Sequence, residues 1–275
     1  LVPEFIDGDW RHGVDAAAIE KRLNEDTDRE IKAVCMVHNE TSTGVTSRVK
    51  LVREAIDRTG HPALFMVDTI SGLASADFRQ DEWGVDVSVA GSQKGLMLPP
   101  GISFNCVSEK AQEVSKTASL PKSYWAWDEM ITMNKTGYFP YTPATNLLYG
   151  LKEAIAMLME EGLDNVFARH ERVAEVLCQE PKEYSPVLTA VVMPEGHSAD
   201  NFRKVTLENF DMSLGNGLNK IADKVFRIGH LGDFNELMLM GTLSGVEMGL
   251  ELAKVPHEKG GVDAAMAYLV NPQAR

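Results

Sequence analysis

Val85-Asp-Val-Ser-Val-Ala90-Gly-Ser-Gln-Lys94-Gly-Leu96 joins an apolar run to a turn of small residues that carries a single lysine. The run reads as a buried strand ending in a polar loop. Other stretches repeat this grammar. Residues 31–37 are a second strand, residues 63–67 a third that ends at Asp68, and residues 102–107 a fourth. Between the first two, residues 48–58 place Val49, Leu51, Val52, Ala55 and Ile56 at helical spacing. A strand–helix–strand rhythm of this kind predicts an α/β sheet with helices on both faces. Ligands of open α/β sheets gather beyond the carboxyl ends of the strands. Residues 38–43, 68–71 and 91–94 each follow a strand directly. Three polar loops are therefore expected to converge on one pocket, provided the strands are parallel neighbours.

The second half of the chain changes character. Residues 145–161 predict a long helix through Leu147, Leu148, Leu151, Ala154, Ile155 and Leu158, and residues 164–178 a second one. Residues 187–193 and 225–228 read as strands, Phe202 and residues 211–222 as helical or turn-like, and residues 234–252 as a long helix. The expected organisation is a large domain over residues 1–163 and a smaller C-terminal α+β domain over residues 164–275. The opening Leu1-Val-Pro-Glu-Phe-Ile-Asp has no initiator methionine and reads as a strand already in progress, as if an upstream part were missing.

Composition narrows the function classes. The 275 residues are 44% hydrophobic and carry a formal net charge of -13, which excludes a protein built to neutralise nucleic-acid phosphates. It leaves anionic substrates open, because a few local cations govern a pocket. Cys35, Cys106 and Cys178 are odd in number and widely spaced, so they suggest neither a zinc site nor a disulfide framework. A reducing cytoplasm is the simplest compartment. No apolar stretch approaches a membrane span, and no signal peptide is visible.

Lys94 and Asp68 carry the chemistry. The interval between them leaves room for a loop, a short helix or turn, and one more strand, so both can face one ligand from adjacent strand ends. An amine so placed can form a Schiff base. A nearby carboxylate can hold the protonated ring nitrogen of pyridoxal phosphate, which keeps that ring electron-withdrawing. The freed amine would then carry the substrate's Cα proton.

His38-Asn-Glu-Thr-Ser-Thr-Gly, Val67-Asp-Thr-Ile-Ser, Gly91-Ser-Gln-Lys-Gly, Leu98-Pro-Pro-Gly and Phe226-Arg-Ile-Gly-His-Leu-Gly occur in that order. The ordered set resembles the class V aminotransferases of pyridoxal-phosphate fold type I, closest to the serine–glyoxylate and alanine–glyoxylate group. The resemblance covers nearly the whole chain and implies an N-terminally incomplete large domain. Lys94 would be the Schiff-base lysine and Asp68 the partner of the ring nitrogen. Thr41 would place a hydroxyl near the ring, Gln93 would contact the phosphate, and Ile70 would pack on the ring face opposite the substrate. Arg227 would bind the substrate α-carboxylate. Thr142 would reach the phosphate of a neighbouring subunit, so a homodimer is implied. Phe139 stands where the family often has tyrosine, a hydroxyl that Tyr138 could replace. The family's Gly-rich phosphate turn and ring-stacking aromatic are not found in residues 1–31.

The expected reaction moves an amino group from a small amino acid, serine first, onto the cofactor and then to glyoxylate. Aspartate and alanine remain open as donors. A lyase or desulfurase on the same fold would need a nucleophilic cysteine on a mobile loop, whereas Cys106 falls within an apparently buried strand and Cys178 on a helix. An inactive scaffold is the non-enzymatic alternative. Thr41, Ser42 and Thr43 could equally cap a helix. His38 reads as a polar strand end, and His230 as a possible pocket residue. Leu214-Gly-Asn-Gly-Leu contains Gly-x-Gly without the rest of a dinucleotide fingerprint.

Overall fold

A computed structural model describes residues 1–177 and 183–271. In chain order its first elements are helix α1 (Ala16–Glu25), strand β1 (Ala33–Val37), the two-residue strands β2 (Asn39–Glu40) and β3 (Val45–Thr46), and helix α2 (Val49–Thr59). Strands β4 (Leu64–Asp68), β5 (Val87–Gly91) and β6 (Ser103–Val107) follow, then α3 (Glu109–Lys116), α4 (Trp127–Asn134), α5 (Thr145–Glu161) and α6 (Leu163–Leu177). The last are β7 (Leu188–Val192), α7 (Ala199–Phe210), β8 (Gly215–Asn216), β9 (Val225–Gly229), α8 (Glu236–Leu252) and α9 (Gly261–Leu269).

One sheet has the order β1-β4-β5-β6. The first three strands are parallel neighbours, which meets the condition for loop convergence, and β6 returns antiparallel. Ile19, Leu23, Val49, Val52 and Ile56 bring α1 and α2 onto Met36, Phe65 and Val67. The apolar face of α2 repeats at positions 49, 52, 55 and 56, as a helix with one buried stripe requires. Its end is set by Gly60, whose φ of 59° suits a residue without Cβ. The opposite sheet face carries Cys35, Met66, Asp68 and Val89 in register and is only partly covered.

A second sheet, β7-β9-β8, is wholly antiparallel. Phe226 and Ile228 of β9 pack on Phe202 of α7, and the rings of Phe202 and Phe226 lie 4.6 Å apart. Helices α5 and α6 place Ala154, Leu158 and Val166 against Leu96 and Leu98 of the segment after β5.

Three expectations are corrected. Residues 1–7 form no strand; Leu1, Val2 and Phe5 are exposed, since an extended segment becomes a strand only with a hydrogen-bonded neighbour. Cys106 is exposed, not buried, because β6 is the edge strand of its sheet. Within residues 211–222 a short strand, β8, precedes a 3-10 turn over Asn219–Ile221. Cys178, assigned to a helix, lies outside the described residues. No helix among the described residues is long and apolar enough to cross a membrane.

Candidate active site

The loops after β1, β4 and β5 meet. Asp68 is the last residue of β4, and its backbone carbonyl accepts the His38 N–H at 2.9 Å, joining the first two loops. Its side chain shares the partly open face with Val37 and Val89. One carboxylate oxygen accepts the Ile70 N–H at 2.8 Å. The hydroxyls of Thr41 and Ser71 are hydrogen-bonded to each other, which draws the first loop over the second.

The Lys94 turn is seated against the Asp68 loop by a glycine. A Cβ on Gly95 would overlap the Leu73 carbonyl and lie 2.6 Å from Ser75 Oγ, so only hydrogen fits. A Cβ on Gly91 would stand 3.6 Å from Ile70 Cγ2. Ser92, fully buried, staples the turn: its Oγ donates to the Pro99 carbonyl at 2.8 Å and accepts the Ile102 N–H at 3.2 Å. Lys94 forms no ion pair among the described residues, so its amine is available for chemistry. Gln93 is exposed at the mouth of the same turn.

Arg227 enters from the second sheet. Its Nη1 donates to the Thr41 carbonyl and its Nε to the Asn216 carbonyl, each at 2.7 Å. Burial and the neighbouring Arg203 pull its pKa down, and Glu40 opposes them. Six of the seven candidate residues (Thr41, Asp68, Ile70, Gln93, Lys94 and Arg227) therefore lie on segments joined to one another, Arg227 reaching the first loop from strand β9. Thr142 does not join them. It is exposed in a turn whose open hollow is lined by residues 137–143, Tyr138 and Phe139 included, and by none of the other candidates.

Sequence reasoning missed Asn39 and Ser185. Asn39 is buried, and its Oδ1 accepts from Thr46 Oγ1 at 3.1 Å and from Ser185 Oγ at 2.5 Å. Ser185, Gly44 and Thr46 thus clasp the β2–β3 hairpin to the chain ahead of β7; Ser185 N–H donates to the Gly44 carbonyl and Thr46 N–H to that of Glu183. Nothing local in the sequence signals a bond spanning so many residues. The Asn39 amide Nδ2 is buried without a partner beside the 68–72 turn. An orphaned donor beside the 68–72 turn, a carboxylate bonded through one oxygen to the Ile70 N–H and an amine in no ion pair among the described residues, on loops that touch one another, fit a flat, polar-edged cofactor such as pyridoxal phosphate.

His38 and His230 are buried with Nδ1 unpartnered. Burial pushes each down to about 4, against an ordinary value of 6.5; His170 adds to the effect on His230, and Asp77 partly offsets it at His38. The His38 ring packs on Phe78 at 5.5 Å. The folded protein binds these protons less readily than the unfolded chain. The stability they confer is complete above pH 6.5 and is lost as pH falls to about 4, at roughly 3 kcal/mol per histidine. The urea midpoint is expected to drop steeply between pH 7 and 4.5, and less steeply in His230→Gln. A flat midpoint over that interval would contradict the burial argument.

With this geometry in place, the relatives are informative. The family described as "Aminotransferase class-V" matches residues 6–215. Serine–glyoxylate aminotransferase of Methylorubrum extorquens is 46% identical over 97% of this chain and 71% of its own length. L-aspartate–glyoxylate aminotransferase of Paracoccus denitrificans is 42% identical over 96% of this chain and 70% of its own. The solved ureidoglycine–glyoxylate aminotransferase of Bacillus subtilis superposes with a TM-score of 0.85 at 24% identity, covering 97% of this chain and 72% of that one. The chain belongs to the class V aminotransferase family and has its mixed α/β fold.

Proposed function

We propose that this protein is a pyridoxal-phosphate-dependent aminotransferase that moves the amino group of serine to glyoxylate, giving hydroxypyruvate and glycine. The observation that carries this reading is the set of contacts that joins the Asp68 loop, the Lys94 turn and Arg227 of β9 to one another. The names of the relatives support glyoxylate as acceptor, and the 46% identical relative supports serine as donor. Bound there, pyridoxal phosphate supplies an electron-withdrawing ring that takes up an amino group from one substrate and yields it to the next. Asp68 accepts a hydrogen bond from the ring nitrogen and keeps its proton in place. Lys94 Nζ would receive the proton from substrate Cα and hand it to the carbon on the other side of the bridging nitrogen. Ile70 covers the ring face away from the substrate, Thr41 sets a hydroxyl at the ring edge, and Gln93 binds the phosphate. Arg227 holds the α-carboxylate, a task suited to a planar guanidinium.

Thr142 reaches the phosphate of a second copy, which makes the working unit a homodimer. Tyr124, Trp125, Tyr138 and Tyr141, exposed near Thr142, support an apolar contact there. The domain division lies between residues 163 and 164, at the first residue of α6 (Leu163–Leu177). Free Cys35 and Cys106 suit a cytoplasmic setting. The test is a donor series with glyoxylate: serine is expected to exceed alanine and aspartate in kcat/KM. A preference for aspartate would move the assignment to the aspartate branch.

A further inference from the structure

Gly215 of Leu214-Gly-Asn-Gly-Leu is the direct register partner of Arg227 across β8 and β9. Partners in an antiparallel pair project to the same face. A Cβ at Gly215 would stand 3.1 Å from Arg227 Cβ and 3.3 Å from its Nε, tighter than ordinary contact, and the next atom is the Arg227 carbonyl oxygen at 3.4 Å. The bare backbone leaves room for the arginine to lie across β8. From there Nε reaches the Asn216 carbonyl and Nη1 the Thr41 carbonyl, both at 2.7 Å. These two moorings use two of the five guanidinium N–H groups. Both N–H groups of Nη2 and one of Nη1 remain for a carboxylate.

We infer that Gly215 is a positioning residue that sets the aim of Arg227 toward the substrate carboxylate. The β8 strand is held in turn by Arg203, whose Nε donates to the Leu214 carbonyl at 2.8 Å. The Thr41 carbonyl fixes the far end of the guanidinium over the loop after β1. A methyl group at position 215 pushes the side chain away from β8, breaks the Asn216 mooring and turns the free N–H groups away from the substrate.

This inference rests on Arg227 as the carboxylate ligand, and the experiment separates the two. In the cofactor-loaded protein, Gly215→Ala is expected to raise the KM for serine and the dissociation constant of glycolate by about tenfold while kcat changes little, the scale of a sub-ångström misplacement. Gly229→Ala, on β9 with nothing within 4 Å of its Cβ, is the control and should leave both unchanged. In an Arg227→Gly background, which removes both the Cβ at 3.1 Å and the Nε at 3.3 Å, Gly215→Ala should add nothing to KM, glycolate affinity or melting temperature, because the atoms it strikes are gone. If Arg227→Ala leaves KM and glycolate affinity unaltered, the carboxylate reading itself fails. If Arg227→Ala weakens both but Gly215→Ala does not, only the positioning role is overturned. Should Gly215→Ala prove unstable, the melting-temperature cycle decides: a loss that persists without the Arg227 side chain refutes the contact.

Discussion

Replacing Lys94 with alanine is expected to reduce turnover by about 10⁴-fold or more, the upper range for losing a positioned proton carrier, with loss of a covalent attachment added to it. The visible absorbance of the lysine-bound cofactor should vanish as well. Borohydride treatment followed by peptide mass spectrometry should place a reduced cofactor adduct on Lys94 in the parent protein and on no residue of the variant. The fold should survive, because the turn is held by Gly95 against Leu73 and Ser75 and by the Ser92 hydroxyl, neither of which involves the lysine side chain. An adduct on a different lysine, or turnover within tenfold of the parent, would remove the central residue of the proposed function. Arginine at this position would keep the charge without giving a usable amine, so Lys94→Arg should be nearly as inactive.

The second large effect belongs to Arg227. Two charge-assisted hydrogen bonds to a carboxylate are worth roughly 1.5–3 kcal/mol each. Arg227→Ala is therefore expected to lower kcat/KM for serine by about 10²- to 10⁴-fold, with little change in cofactor absorbance. Arg227→Lys should recover only part of this, since an ammonium cannot meet both carboxylate oxygens in a planar fork. The parent should prefer serine to ethanolamine, which lacks the carboxylate, by a factor that shrinks in Arg227→Ala. An undiminished preference would show that another cation holds the carboxylate. Part of any effect is indirect, because Arg227 also bonds the Thr41 carbonyl and so ties the second sheet to the loop after β1. Measuring cofactor affinity in the same variant separates this tie from substrate binding.

Much of the candidate site is legible in the residues themselves. The alternation of apolar runs with polar loops anticipates β1, α2, β4 and β5 within a few residues, and with them the positions of Asp68 and Lys94 at strand ends. The helix over Thr145–Glu161 is expected at its observed bounds, because an uninterrupted apolar stripe ending at Gly162 leaves no competing choice. The β2–β3 hairpin is not legible. Its strands are two residues long, β2 held through Asn39 by Ser185 and β3 through Thr46 by Glu183, far along the chain. The short helix α1 also escapes notice; its buried apolar residues are only Ile19 and Leu23, with Ala16 packed beside them.

What the amino-acid order determined by itself was local: which runs are strands or helices, where polar turns interrupt them, and which residue types stand in those turns. Periodicity and turn chemistry act over a few residues, so a short window contains their causes. The tertiary structure alone decided the antiparallel direction of β6, the exposure of Cys106, the clasp of Asn39 by Ser185 and the seat of Arg227 on Gly215. Each depends on where distant segments come to rest after the chain closes on its core. The free energy of such contacts is shared between residues that no local pattern connects.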